Sequence, residues 1–149
     1  MLSGIESLYI EKGTHKGVVI ESVLKKITDK RGIAIKESRS KGLIAIPMSL
    51  DEEAFLIINE FLKKSPSFKM MGPIIKQKGF TFIKPLYFCS EHEIYLYCSI
   101  NHIKITKKQD EKDKIKQSMI SFVNLMEQKH PEIKNAIVNA YLEINSVLK

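Results

Sequence analysis

Residues 79–106 read GFTFIKPLYFCSEHEIYLYCSINHIKIT and form the richest aromatic and β-branched stretch of the chain. Apolar and polar side chains alternate along residues 94–100, as in a strand whose successive side chains point to opposite faces of a sheet. Residues 86–89 alternate in the same way, and the polar run from Ser90 to Glu93 lies between the two arms. The stretch therefore predicts a long antiparallel hairpin with its turn at residues 90–93.

One face of this predicted hairpin carries tyrosines. In the register that keeps the aliphatic side chains together, three rings share the other face: Tyr87, Tyr95 and Tyr97. Exposed tyrosines can stack on nucleic-acid bases or anchor a protein partner. Helices packed over that face would instead make the rings part of the core. The sequence leaves both interpretations open, and the three tyrosines are the candidate partner-binding residues.

The rest of the chain alternates between helical and strand patterns. Apolar residues at helical spacing predict helices at 16–30, at 50–64, and in a C-terminal pair that begins near residue 110 and again at Pro131. Short strands are predicted at 5–11, 33–35 and 43–46, the last two as a second hairpin. A strand at 17–20 is an alternative to the first helical turn, and residues 65–79 are the least regular part.

The predicted element order is β-α-β-β-α-β-β-α-α. This order predicts one α+β domain over residues 1–149, with a mostly antiparallel sheet of four or five strands packed by helices. Its first part matches the split arrangement of a ferredoxin-like core. The length is sufficient for one domain with a substantial buried core.

The charge balance favours anionic partners. Lys and Arg number 24 against 17 Asp and Glu, which gives a net charge of +7. Such a charge suits nucleic acid or an acidic protein without specifying either. The sequence shows no basic-then-apolar leader pattern and no apolar run long enough to cross a bilayer, so we expect a cytoplasmic protein with no membrane partner.

Basic residues concentrate in two regions of the chain. Between Phe61 and Ser90 there are lysines and no acidic residue, and a second group lies near the first predicted hairpin. Lysine contacts phosphates as a point charge and reads bases poorly. The candidate nucleic-acid-binding residues are Arg31, Arg39, Lys41, Lys63, Lys64, Lys69, Lys76 and Lys78. A solvated surface that only keeps the protein soluble is the alternative interpretation.

The sequence offers little for catalysis or for metal binding. The two cysteines, Cys89 and Cys98, lie in the two arms of the predicted hairpin and are too far apart to bridge, which predicts free thiols. No His, Cys and carboxylate spacing is typical of a metal site. We therefore expect no catalytic residue, no metal and no cofactor.

The function expected from these patterns is that of a small, basic, non-enzymatic binding or accessory protein that contacts nucleic-acid phosphates. The first alternative is a protein-interaction module, of the adaptor or immunity type, which uses the tyrosine face and the C-terminal helices. A small cysteine-dependent enzyme is the third. Because the last predicted helix is apolar over more than one face, we also expect a homodimer or a dedicated protein partner.

Overall fold

The computed structural model describes residues 7–39, 42–106 and 114–147. In this part of the chain the elements are β1 (Ser7–Ile10), α1 (His15–Arg31), β2 (Ala34–Lys36), β3 (Leu43–Ala45), α2 (Leu50–Phe61), β4 (Ile74–Gln77), β5 (Phe80–Ile83), α3 (Glu91–Ile100), α4 (Lys114–Lys129) and α5 (Ile133–Val147). The elements divide between two compact units. The first contains the sheet with α1 and α3, and the second contains α2, α4 and α5.

The sheet of the first unit is mixed and mostly parallel. Its strand order is β2-β1-β3-β5-β4. Strand β1 pairs in parallel with β2 and β3, and β3 pairs in parallel with β5. Only β4 is antiparallel, with Ile75 opposite Phe82. The α+β class is confirmed, whereas the prediction of a mostly antiparallel sheet is wrong, and the ferredoxin-like order of strands is wrong with it.

The error has a physical reason in the strands nearest the N-terminus. Strands that follow each other in sequence usually pair, so β2 and β3 were predicted as a hairpin. Instead β1 lies between them, and its two edges bond one strand each. All three residues of β3 are buried. Such continuous burial is typical of a strand covered on both faces in a parallel sheet.

The largest correction concerns residues 90–100, which form a helix and not the second arm of a hairpin. Ser90 is the N-cap of α3: its hydroxyl accepts from the Glu93 amide at 3.2 Å, and the Glu93 carboxylate accepts from the Ser90 amide at 2.7 Å. This reciprocal capping box satisfies two amides that a helix start otherwise leaves unpaired. The polar run that suggested a turn is therefore a helix N-terminus.

Helix α1 begins at His15, so residues 17–20 are helical and the alternative strand there is excluded. The helix ends at Gly32, which has φ 66°, and the next amide, of Ile33, donates to the Thr28 carbonyl at 3.0 Å. Glycine adopts this left-handed conformation without a steric penalty. The buried core of the first unit joins β1, β3, α1 and α3 through Leu8, Ile10, Val19, Ile20, Ile33, Leu43, Ala45, Leu86, Ile94 and Cys98.

The second unit buries its own apolar side chains between α2 and the C-terminal helical pair, which confirms those predicted helices. Its buried residues include Ala54, Ile57, Val123, Val138 and Tyr141. A buried ammonium links the helices, because Lys134 donates to Asp51 and to Glu127. Burial by itself would lower the pKa of the Lys134 ammonium group. The two carboxylates together have the larger effect, so the pKa is raised.

Among the described helices, none combines the length and the apolar character needed to cross a membrane.

Candidate functional site

The carboxyl edge of the parallel strands contains the point where the order of strands reverses. Strand β1 connects through α1 to β2 on one side, and its other neighbour is β3, so the order of strands reverses between β1 and β3. Ligands of open α/β sheets bind in the crevice outside the strand ends at such a point. The chain leaves this edge after Ile10 and after Ala45, and the Glu11 amide donates to the Ala45 carbonyl at 3.0 Å.

Three polar side chains meet at this edge. The ammonium nitrogen of Lys16, in the first turn of α1, lies 2.5 Å from Oε1 of Glu91, in the first turn of α3. The Ser49 hydroxyl donates to the same oxygen at 2.8 Å. The side chains of Lys16 and Glu91 are only 5% and 14% exposed, and Ser49 is fully buried. We call Lys16, Ser49 and Glu91 the edge cluster.

Two electrostatic interactions stabilise the Glu91 carboxylate in the edge cluster. A carboxylate in the first turn of a helix is stabilised by the positive end of the helix dipole, which applies to Glu91. The adjacent ammonium of Lys16 stabilises it further at short range in a poorly hydrated place. A hydroxyl that donates to a carboxylate is one arrangement that activates a nucleophile. Because Ser49 is fully buried, however, the cluster positions the surrounding chain segments and is not itself open to a substrate.

A second pair of contacts closes the same end of α1. The His15 amide donates to the Thr106 hydroxyl at 2.9 Å, and the Thr106 amide donates to Nδ1 of His15 at 3.3 Å. The His15 ring stacks on Tyr95 with the ring centroids 5.6 Å apart. These contacts join the segment after α3 to the start of α1, beside the edge cluster.

Lys84 is the next residue after β5 and is also buried, with 3% exposure. Its amide donates to the Pro73 carbonyl at 2.9 Å. The carboxyl ends of parallel strands lie at one edge of a sheet, so Lys84 follows β5 at the edge where Lys16 and Ser49 follow β1 and β3. Lys84 is thus a second buried lysine at this edge, in addition to Lys16.

The predicted nucleic-acid-binding residues are exposed but divided between the two units. Arg31, Arg39, Lys76 and Lys78 belong to the first unit, and Lys63, Lys64 and Lys69 to the second. Two of them are already paired on the surface, Arg39 with Glu11 and Lys63 with Glu60. Lys41 lies outside the described residues. Their role in binding stays a prediction.

The predicted tyrosine row does not exist as a shared sheet face. Tyr87 precedes α3 and is buried, with its ring edge-on to Phe88 at 5.0 Å. Tyr95 and Tyr97 are two residues apart on a helix, which places them on different faces. Tyr95 is 37% exposed beside His15, whereas the Tyr97 hydroxyl bonds to Ser22 at 2.9 Å. The geometric basis for a joint partner-binding surface is therefore wrong.

Both cysteines are free thiols, as predicted, although they lie at a helix and not in a hairpin. Cys98 is fully buried within α3 and packs in the core, and burial raises the pKa of its thiol. Cys89 precedes the N-cap and is half-buried. Burial and then the nearby charge of Glu93 raise its pKa as well. Neither thiol is activated for nucleophilic attack, because the thiolate is the reactive form.

Sequence patterns missed the edge cluster, and two signals pointed toward it. The Ser-x-x-Glu spacing at Ser90 and Glu93 is a helix start, and it places Glu91 in a first turn. The glycine-containing segment at residues 13–17 follows a strand and includes the first turn of α1, but it lacks the glycine spacing of a phosphate-binding loop. No pattern in the sequence indicates that these two segments meet.

The comparisons with known proteins identify a fold and no family. No protein-family model and no curated protein sequence matches the chain. Among solved structures it is similar to the U34-tRNA thiolase NcsA from Methanococcus maripaludis, which was solved with its [4Fe-4S] cluster. The TM-score is 0.59 at 19% sequence identity, over 87% of this chain and 42% of that one.

This likeness corrects the expected function. The sequence patterns predict a non-enzymatic binding protein or an interaction module, whereas the fold of the chain is one that an enzyme uses. The chain spans about two fifths of the thiolase's length, so the likeness covers one part of that enzyme.

Proposed function

We propose that the chain is part of an enzyme that modifies tRNA, and that the RNA is engaged near the carboxyl edge of the sheet. The observation that carries the proposal is the fold likeness to a tRNA thiolase over 87% of this chain. The edge cluster supports the same location, because it lies where the strand order reverses between β1 and β3.

The charge of the chain supports an RNA substrate. A net charge of +7 attracts a polyanion. The exposed lysines Lys76 and Lys78 are suited to contact phosphates without reading bases. Because Gln77 pairs with Phe80, the first residue of β5, they lie toward the amino edge of the parallel strands, so they support an RNA substrate and not its location at the carboxyl edge. Each phosphate neutralised contributes roughly −0.7 to −0.9 to the slope of log K against log salt, so binding of tRNA is expected to be salt-sensitive.

The edge cluster gives this proposal a specific test. Replacing Ser49 with alanine removes the hydroxyl that orients Glu91 and, through it, Lys16. The buried hydroxyl does not touch the RNA and acts only by positioning the chain segments at the edge. One hydrogen bond contributes about 0.5–1.5 kcal/mol, so with this contribution transmitted to binding we expect S49A to weaken binding of bulk tRNA by about two- to tenfold. The measurement is fluorescence anisotropy of labelled tRNA at low ionic strength.

The matched control is Ser22→Ala, which removes a hydroxyl bonded to Tyr97 elsewhere in the same unit. S22A should bind tRNA like the wild type, with both variants checked for an unchanged melting temperature within a few degrees. Equal binding by S49A and S22A would contradict the location of the site. A wild-type protein that does not bind tRNA at low salt would contradict the proposed substrate.

Two further expectations stay predictions alongside this proposal. One is a cytoplasmic location. The other is a homodimer or a dedicated protein partner, which the exposed apolar side chains of the second unit support: Leu62 is 72% exposed and Val147 is 83% exposed. Apolar side chains so far into solvent are typical of surfaces that pair with another chain.

A further inference from the structure

The cysteines of this chain do not provide the usual ligand set of an iron–sulfur cluster. A [4Fe-4S] cluster is held by cysteine thiolates, four in the usual ligand set. The sequence contains two cysteines in all, and both lie among the described residues. Within residues 7–39, 42–106 and 114–147, no three His, Cys, Asp or Glu side chains are grouped so that they could hold a metal ion.

The surroundings of each thiol also oppose cluster binding. Cys98 is 0% exposed among the apolar side chains that join β1, α1 and α3. A cluster there would require the core to open. Cys89 precedes the start of α3, and the helix rise of ~1.5 Å per residue places Cys98 roughly 10 Å beyond that start. Metal binding needs deprotonated thiols, whereas burial and the Glu93 carboxylate favour the protonated form at Cys89.

We infer that Cys89 and Cys98 are packing residues and do not form a [4Fe-4S] site in this chain. Its Cys98 instead completes the apolar core under α3, next to Ile94 on the same helix. The consequence for chemistry rests on the proposed function: any cluster-dependent step on tRNA must use cysteines that are not in these 149 residues. The component that such a reaction requires is therefore a set of cysteine thiolates outside these residues, on the same polypeptide or on another protein.

The test is anaerobic reconstitution of the purified chain with ferrous iron, sulfide and a thiol reductant, followed by desalting. Iron and acid-labile sulfide are then measured per chain, together with the visible absorption of the sample. The comparison protein is the double variant Cys89→Ser/Cys98→Ala. We expect iron contents near zero that are the same for both proteins. About four irons and four sulfides per wild-type chain, lost in the double variant, would overturn the inference.

A second measurement uses the wild-type protein alone, so it does not require the double variant to fold. Iodoacetamide near neutral pH should leave Cys98 of the native wild-type protein unmodified and should alkylate it fully in urea. Rapid alkylation of native Cys98 would contradict its role as a core residue. Binding of tRNA, measured on the same reconstituted samples, separates the two proposals, because tRNA binding without iron supports both and iron uptake overturns only this inference.

Discussion

Replacing Lys16 with methionine is expected to lower the free energy of unfolding of the first unit by about 3–5 kcal/mol. The reason is that the largely buried carboxyl group of Glu91 would lose the ammonium 2.5 Å away. Removing one partner of a buried ion pair typically has a cost of this size, because the remaining group loses its counter-charge in a place where water does not replace it. Urea unfolding followed by circular dichroism measures the change.

Two controls distinguish this explanation from a general loss of lysine. The double variant Lys16→Met/Glu91→Gln removes both charges and should recover most of the lost stability, because a buried pair replaced by neutral groups is often tolerated. Lys12→Met breaks an exposed pair with Glu21, in which the side chains are 54% and 37% exposed. It should change stability by less than about 1 kcal/mol. Equal effects of K16M and K12M would contradict the structural role of the edge cluster.

Replacing Gly17 with alanine is expected to destabilise the first unit by about 1–3 kcal/mol, although alanine is normally the better helix residue by about 1 kcal/mol. A Cβ at position 17 would lie 2.6 Å from the carbonyl oxygen of Glu11 and 3.3 Å from the Cα of Lys12. Those are backbone atoms of the loop that follows β1, so they cannot rotate away as a side-chain end would. Thermal unfolding checks the sign.

The neighbouring residue provides the control for this reversal of the usual preference for alanine over glycine in a helix. Val18 is on the same turn of α1 and is 48% exposed, so Val18→Ala should be neutral or slightly stabilising. A G17A variant as stable as the wild type would show that α1 does not approach the loop after β1 so closely. The position of Lys16 in the edge cluster depends on that approach.

The parts of the fold that could be predicted from the sequence are those with local signals. Helix α1 has a clear stop at Gly32, and α2 and α5 carry apolar stripes at helical spacing. Strands β1 and β3 are short apolar runs next to turn residues. Strand β4 was missed because its four residues lie between glycines and a proline, which indicated an irregular segment.

For residues 90–100 the side-chain pattern predicts a turn and a strand, whereas the segment forms α3 and its N-cap. Alternation of apolar and polar residues in this segment fits a strand, but the capping box between Ser90 and Glu93 and the burial of Ile94 and Cys98 four residues apart fit a helix. Both patterns are present, and only the helix satisfies its first amides locally. The capping hydrogen bonds favour the helix, and the periodicity of the side chains does not reveal them.

The candidate site could not be predicted, because it depends on long-range contacts. Lys16 and Glu91 are 75 residues apart in sequence, and Ser49 and Glu91 are 42 apart. They come together because β1 and β3 are parallel neighbours and because Glu91 begins a helix where the predicted hairpin had a turn. The basic residues were predicted from composition alone. They are divided between the two units because the chain leaves the unit that contains the sheet, contributes a segment to the second unit, and then returns.

A chain that takes part in an enzyme acting on tRNA should leave a trace in the tRNA of the source organism. The gene would be disrupted, and the nucleosides of purified tRNA would be quantified by liquid chromatography and mass spectrometry. We expect the loss of at least one modified nucleoside, restored by the wild-type gene and only partly by S49A. An unchanged nucleoside profile in the disrupted strain would contradict it.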